Sequence, residues 1–369
     1  PSGSLRALAS AGAQVRRALT ATEEAQIHRI VRDGRPRAVV VASLGGSAVV
    51  GDVLTMLAGS ASPVPVSVRR GLPLPGWVGP LDLVVAVSMS GRAPGPVGLA
   101  AEAARRGSRL LTVGMPDSPL AEVAVRTGGV HVTVPAPLTP AARASRMALW
   151  ALLTPVLAAA YELGLVDTSP LLLSRVAGRL DTHATTFRPS SDAFVNPAKA
   201  LALELADTVP VVLGDSDVTG VAATRAVSML ARTARVPAMR GALPDDAGDV
   251  VATFGGPFAA RPGDLFNDPF LDEPVGTRLR LLFLRDAEPS VDRPDGAWLE
   301  TSRTADAVRV TAEEAGVRIS EATAEPGHPL ERLADLVALT DFAAVYLALA
   351  GGVDPLTSPH VADLRDRTH

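Results

Sequence analysis

Short, wholly apolar blocks recur along this chain. Most are followed by a turn containing Gly, Ser or Pro and then by a stretch with helical spacing of its apolar positions. A continuous apolar block bounded by turn residues predicts a strand buried on both faces, and apolar positions at i, i+3 and i+4 predict an amphipathic helix. The first half thus predicts a helical segment over Leu5–Arg32 and strands at Val39–Ala42, Val64–Val68, Leu83–Val87, Leu110–Val113 and Val130–Val134. Helices are expected at Ser47–Ala58, Pro96–Arg106 and Ala142–Leu163. The second half repeats the scheme. Helices are expected at Ala198–Ala206, Val218–Thr233, Val308–Ala315 and Pro329–Ala350, and strands at Val209–Asp215, Leu279–Leu284 and Val317–Ser320. Alternation of this kind implies an α/β protein of two lobes, each a doubly wound parallel sheet flanked by helices. The expected divisions are an N-terminal helical segment (1–35), a first lobe (36–165), a linker (166–195) and a second lobe (196–369) ending in a long helix. Residues 254–276, rich in Gly, Pro and Phe, read as an insertion in the second lobe.

The 369 residues suffice for two domains with substantial cores. The apolar fraction of 47% and charged fraction of 20% are those of a soluble globular protein. Net charge is −4 and no basic tract occurs, which argues against a nucleic-acid partner. Cysteine is absent, which excludes disulfides, thiolate metal sites and cysteine nucleophiles and fits a reducing cytoplasm. The N-terminal residues show no signal-peptide pattern. The apolar run Met147–Tyr161 is short for a membrane span and contains Pro155, so it reads as a buried helix and no membrane association is expected. No His/Asp/Glu spacing suggests a metal site, and no cofactor is expected.

Two strand ends carry candidate chemistry. One runs from Val39 into Gly45-Gly46-Ser47, and the other from Leu83 into Ser88-Met89-Ser90-Gly91. Both place hydroxyls and backbone N–H groups at the carboxyl end of a buried strand, where open α/β sheets bind ligands and where helix N-termini hold phosphates. This points to a phosphorylated small molecule, a sugar phosphate above all. A dinucleotide site is disfavoured: the first turn lacks Gly-x-Gly-x-x-Gly, and the next strand ends at Arg69-Arg70 with no acid for a ribose.

The ordered set of motifs resembles the sugar isomerase (SIS) fold, in particular the bifunctional phosphoglucose/phosphomannose isomerases. It comprises Leu44-Gly45-Gly46-Ser47 with Gly51-Asp52, Ser88-Met89-Ser90-Gly91, Arg146, Asn196-Pro197-Ala198-Lys199, Arg235-Val236-Pro237-Ala238 with Leu243-Pro244, and the run Asp341–Pro355. The resemblance implies two SIS lobes and a homodimer. It also implies a phosphate cradle at Ser88 and Ser90, a sugar-facing turn at Gly45, Gly46 and Ser47, and Arg146 in the site. The family continues its serine loop with Gly-Asn-Thr, whereas this chain reads Gly91-Arg92-Ala93. The hydroxyl is missing at Ala93, and Arg92 offers a guanidinium instead.

Aldose–ketose isomerisation needs a base to move a proton between C1 and C2 and an acid/base group for ring opening. The family supplies a Glu, a His and a C-terminal Lys. The corresponding positions are Arg232 and about Gly248, and the nearest stand-in for the Lys is Arg365, because Lys199 is the only lysine. Weak replacements are Asp245, Asp249 and His360, beside Asp246, although the aspartates also read as a solvated acidic loop. His131, in an apolar strand, reads as a partnered core or rim residue, and His328 as a helix-start residue with a capping or packing role. The reading favoured is a sugar-phosphate-binding protein whose isomerase activity is lost or weak. An active isomerase with relocated acid/base groups and a non-catalytic interaction protein are the alternatives.

Overall fold

Val39, Val40, Val41, Ala42 and Ser43 are all buried and form strand β1 (Val39–Ser43). The structure, a computed structural model, describes residues 2–59, 61–136, 141, 144–259, 278–287 and 296–368. Before β1 come helices α1 (Ser2–Ala9) and α2 (Ala11–Glu24). After it follow α3 (Ala48–Ala58), β2 (Val66–Arg69), β3 (Leu83–Ser88), α4 (Pro94–Arg105), β4 (Arg109–Gly114), α5 (Pro119–Arg126), β5 (Val130–Thr133), α6 (Leu149–Glu162) and α7 (Pro170–Thr186). The five strands pair in parallel in the order β2-β1-β3-β4-β5. Parallel neighbours require crossovers, and the helices between them cover the sheet. On one face Val40, Ala42, Val84, Ala86 and Leu110 pack against Leu99, Ala100 and Ala103 of α4 and Leu120 and Val123 of α5.

Three expectations change here. Residues 166–195, read as a linker, contain α7, whose Leu172, Leu173, Val176, Ala177 and Leu180 are buried. Gly12 lets α2 approach α7 closely: a Cβ there would lie 2.2 Å from Asp181 Oδ1 and 2.5 Å from the Ala177 carbonyl. The long helix begins at Leu149 rather than Ala142, because Ala148 leaves helical geometry (φ −118°, ψ 27°) after a 3₁₀ turn at Ser145–Met147. Helix α5 was not foreseen, although Ser118-Pro119 is a start signal: the Ser118 hydroxyl accepts from the Ala121 N–H at 3.3 Å.

The chain divides into two compact units, Ser2–Thr185 and Thr186–His369. The second contains α8 (Pro197–Leu205), β6 (Thr208–Gly214), α9 (Asp217–Met229), β7 (Met239–Ala242), α10 (Ala247–Ala252), β8 (Arg278–Arg285), α11 (Gly296–Glu314), β9 (Arg318–Thr323), α12 (Pro329–Ala350) and α13 (Pro359–Thr368). Its strands are parallel in the order β7-β6-β8-β9. The residues read as an acidic loop open α10, with Asp249 in its first turn. Most of the expected insertion, residues 260–276, lies outside the described residues. Phe254, at its edge, joins the core beside Phe283 and Val250.

Helix α12 is long and apolar enough to cross a membrane by length alone, but 78% of its apolar window is buried inside the protein. It is the core helix of this unit. Its Asp341 carboxylate accepts from Arg225 Nε at 3.0 Å and Nη2 at 2.8 Å, a bidentate pair with both side chains almost wholly buried. Lys199 is structural: Nζ donates to the carbonyls of Pro189 (2.7 Å) and Ser191 (2.8 Å), beside the Tyr346 ring.

These buried groups make the stability of the protein testable in two ways. Asp341→Ala leaves the Arg225 charge buried and should destabilise the protein by about 3–5 kcal/mol, whereas joint apolar replacement of both residues should recover most of that loss. Urea unfolding of the two variants checks this. Burial pushes the His131 imidazole below its usual 6.5, so the unfolded chain binds a proton more readily than the folded one. Stability should therefore fall as pH drops below about 6.5. His131→Gln should remove that part of the dependence, read as a smaller shift of the urea midpoint on acidification.

Candidate active site

The strand order reverses between β1 and β3, so the crossovers leave on opposite sides and a crevice opens at the carboxyl ends of these strands. Gly45, Gly46 and Ser47 leave β1 there as a 3₁₀ turn, and Ser88, Met89 and Ser90 leave β3. Gly45 stands at φ +63°, in the left-handed region that favours glycine. Gly46 is needed for proximity: a Cβ would lie 2.3 Å from Ser145 Oγ and 3.0 Å from the Arg146 N–H nitrogen. The turn that carries Arg146 thus packs directly on the Gly45-Gly46-Ser47 turn. Arg146 is only 8% exposed. The first unit therefore assembles the two turns and Arg146 around one crevice, although Arg146 stands 99 residues beyond Ser47 (146 − 47).

Individual hydroxyls differ in what they can offer. The Ser47 hydroxyl donates to the Leu44 carbonyl at 3.0 Å and approaches the Val87 carbonyl at 3.5 Å. It ties the first turn to β3 instead of capping α3, and its hydrogen is committed to the backbone. The Ser88 oxygen accepts from the Ala93 N–H (3.4 Å) and the Ser90 oxygen from the Arg92 N–H (3.3 Å). A serine oxygen that accepts still has its own hydrogen for another acceptor. Ser88 and Ser90 are thus donors available to an oxyanion. Gly91 closes the loop at φ +64°, where a Cβ would lie 2.1 Å from Ser118 Oγ. Ser118 is a supporting residue that sequence reasoning missed, with Ser118-Pro119 as its only signal.

The helix that follows is a poor anion site by itself. Pro94 and Pro96 at the start of α4 have no N–H, so of the first three helical residues only Gly95 carries a donor. Arg92 is exposed, and its guanidinium donates to the Asp117 carbonyl at 3.2 Å at the rim. An oxyanion in this crevice would therefore meet hydroxyls and guanidinium groups rather than a row of helix N–H groups.

The equivalent strand ends of the second unit, β6 and β8, are occupied by the protein's own charges. Arg285 Nε lies 2.7 Å from Asp215 Oδ2, and Arg332 lies 2.9 Å from Asp286 Oδ1. Ser216 Oγ donates to Asp286 at 2.8 Å, and the Asp286 N–H donates to Asp215 at 2.8 Å. Burial raises the Asp215 pKa against the pull of its hydrogen bonds and Arg285. The charged groups at this position are thus engaged with each other within the protein.

Asp245, Asp249 and His360 all belong to the second unit and face solvent. The His360 side chain is 99% exposed on α13, 3.9 Å from Asp363. Asp246, by contrast, accepts from the Ala242 N–H at 2.8 Å and anchors the β7 turn. Arg232 lies in a π-helical turn, Leu230–Ala234, that ends α9, and Ser358 donates to its carbonyl. Gly248 lies in the first turn of α10 with open space around it. The Arg365 side chain lies outside the described residues. Among the described residues no group of His, Asp and Glu could hold a metal ion.

Gly46→Ala should push the Ser145–Met147 turn off the Gly45-Gly46-Ser47 turn and displace Arg146. The expected outcome is a loss of anion binding at least tenfold larger than any loss in Gly248→Ala, read by calorimetric titration with a sugar phosphate.

Residues 194–368 match the model of the bacterial phospho-glucose isomerase C-terminal SIS domain. The chain is 28% identical over 200 residues to the bifunctional phosphoglucose/phosphomannose isomerase of Caldicellulosiruptor bescii; the match spans 54% of this chain and 57% of that relative's length. Among solved structures it is similar to a hypothetical protein of Thermus thermophilus, with TM-score 0.70 and 16% identity over 99% of this chain and 90% of that one. It is also similar to tagatose-6-phosphate ketose/aldose isomerase of Escherichia coli, with TM-score 0.63 and 12% identity over 95% and 94% of the two chains. At such identities the structures speak for the fold alone. Its second unit thus matches an SIS domain, and the chain, with its two parallel sheets, resembles the bifunctional phosphoglucose/phosphomannose isomerases.

Proposed function

We propose that the first unit binds the phosphate of a sugar phosphate between Ser88, Ser90, Arg92 and Arg146, with Gly45, Gly46 and Ser47 facing the sugar, and that aldose–ketose isomerisation is lost or weak. The observation that carries the binding half is the state of the Ser88 and Ser90 hydroxyls. Each accepts a loop N–H and keeps its own hydrogen for an incoming oxygen. The bifunctional phosphoglucose/phosphomannose isomerase relative supports the sugar-phosphate class.

The second half of the reading rests on which side chains are present. An arginine (Arg232) cannot accept a proton near neutral pH, and Gly248 has no side chain. Asp245, Asp249 and His360 face solvent, where water competes for every hydrogen bond they could offer a substrate. The reading includes a cytoplasmic homodimer, as the resemblance implies.

Fructose 6-phosphate, assayed for turnover to both aldose phosphates and for thermal stabilisation on one sample, tests both halves. A ligand-dependent rise in melting temperature without turnover is expected, and Ser88→Ala or Ser90→Ala should each weaken binding about tenfold or more, the range for a hydrogen bond to a charged group. Turnover that disappears in Asp245→Asn, Asp249→Asn or His360→Gln would overturn the loss of activity. No stabilisation by any sugar phosphate would overturn the site.

A further inference from the structure

A second concavity lies in the first unit, along the edge strand β5. Its walls are Arg17, Thr20, Ala21 and Glu24 of α2 with Ala25 just beyond it, and His131, Thr133 and Pro135 on and after β5. The positions on and just after α2 fall at i, i+3, i+4, i+7 and i+8, one face of a helix, and the β5 positions alternate, one face of a strand. A helix facing a sheet normally fills such a seam with large apolar side chains. Here the seam carries Ala21, Ala25, two threonines and charged groups, and a groove of about 460 Å³ remains.

The groups that face this groove are poorly used by the protein. Neither Arg17 nor Glu24 forms an ion pair or a side-chain hydrogen bond among the described residues. His131 is anchored at Nδ1 by Thr112 Oγ1 (2.8 Å), while its Nε2 is enclosed and has no partner. That atom is closed to solvent, so a molecule in the groove would meet the outer edge of the ring, which makes the imidazole a reporter of occupancy. The two charges are of opposite sign and stand seven residues apart on α2, about 10 Å along the axis.

We infer that the groove between α2 and β5 is a binding site for a small zwitterion, a molecule with a carboxylate at one end and an ammonium group at the other. The carboxylate pairs with the Arg17 guanidinium, which matches its planar geometry. The ammonium group meets Glu24, and Thr20 and Thr133 face the linking chain. Neither charge alone satisfies both ends of the groove. The inference is independent of the sugar-phosphate reading, because the two sites use different residues.

The test is a titration of the full chain with 6-aminohexanoate, followed through the imidazole resonances of His131, with hexanoate and hexylamine as single-charge controls. The zwitterion should shift the His131 signals saturably and bind at least tenfold more tightly than either control. Arg17→Gln and Glu24→Gln should each weaken it about tenfold. Ser88→Ala should leave it unchanged, which separates this site from the phosphate crevice. Equal binding of the zwitterion and a control, unchanged affinity in both groove variants, or no shift of His131 up to concentrations on the order of 10 mM would overturn the assignment; about 1 mM is a reasonable affinity for two charged contacts.

Discussion

The pairing of β1 with β3 governs everything chemical in the first unit. In a parallel sheet, the position where strand order reverses is the one place where no crossover passes over the carboxyl ends. Two turns meet there at the spacing of adjacent strands, and both must be narrow. Gly45 and Gly91 supply backbone that turns through the left-handed region, and Gly46 lets a third turn, with Arg146, close the crevice from α6. Larger residues at these positions would leave the sheet intact and the crevice filled.

The second unit is the control experiment within the same molecule. Its sheet has the same parallel pairing and the same reversal, between β6 and β8. At that point it places Asp215 and Asp286 against Arg285 and Arg332, with Ser216 turned to its own Asp286. The four charges are paired with one another instead of standing open to a ligand. Topology therefore provides a location in both units, and side-chain chemistry decides whether the location becomes a site or a clasp.

The parts of this fold legible in the sequence were those where burial is complete. β1 and β3 are buried at every position, so their apolar runs were unambiguous, and α12 runs from Pro329 to Ala350 as its capping His328-Pro329 and terminal Gly351 indicate. The missed elements lack that signal. Strand β7 contains Arg240 and Gly241 on a sheet edge, and α13 has few large apolar residues, Val361 and Leu364 among six polar ones. Helix α7 was hidden inside an expected linker because its apolar positions fill only one face. The residues of the crevice were legible singly, but their association was not. The contact of Gly46 with Ser145, and of Gly91 with Ser118, joins segments far apart in sequence, and the hydrogen-bond direction at Ser47 depends on where the Leu44 and Val87 carbonyls lie.

The proposed reading separates binding from catalysis in this chain, and there is a physical reason why the two can part. A phosphate handle held by Ser88, Ser90 and arginines contributes equally to substrate and transition state, because the phosphate does not change during isomerisation. Such uniform binding tightens the complex without lowering the barrier of the chemical step. Acceleration requires groups that act only on the enediol-like transition state, a base at the C1–C2 proton and donors at the developing oxyanion. Lys199, the only lysine, is bound to the Pro189 and Ser191 carbonyls. Arginine, the sole cation elsewhere, can neutralise charge but cannot carry a proton back and forth near pH 7. On the proposed reading, a chain that keeps the hydroxyl cradle and replaces the proton carriers would retain the interactions that hold a sugar phosphate and lose those that would transform it.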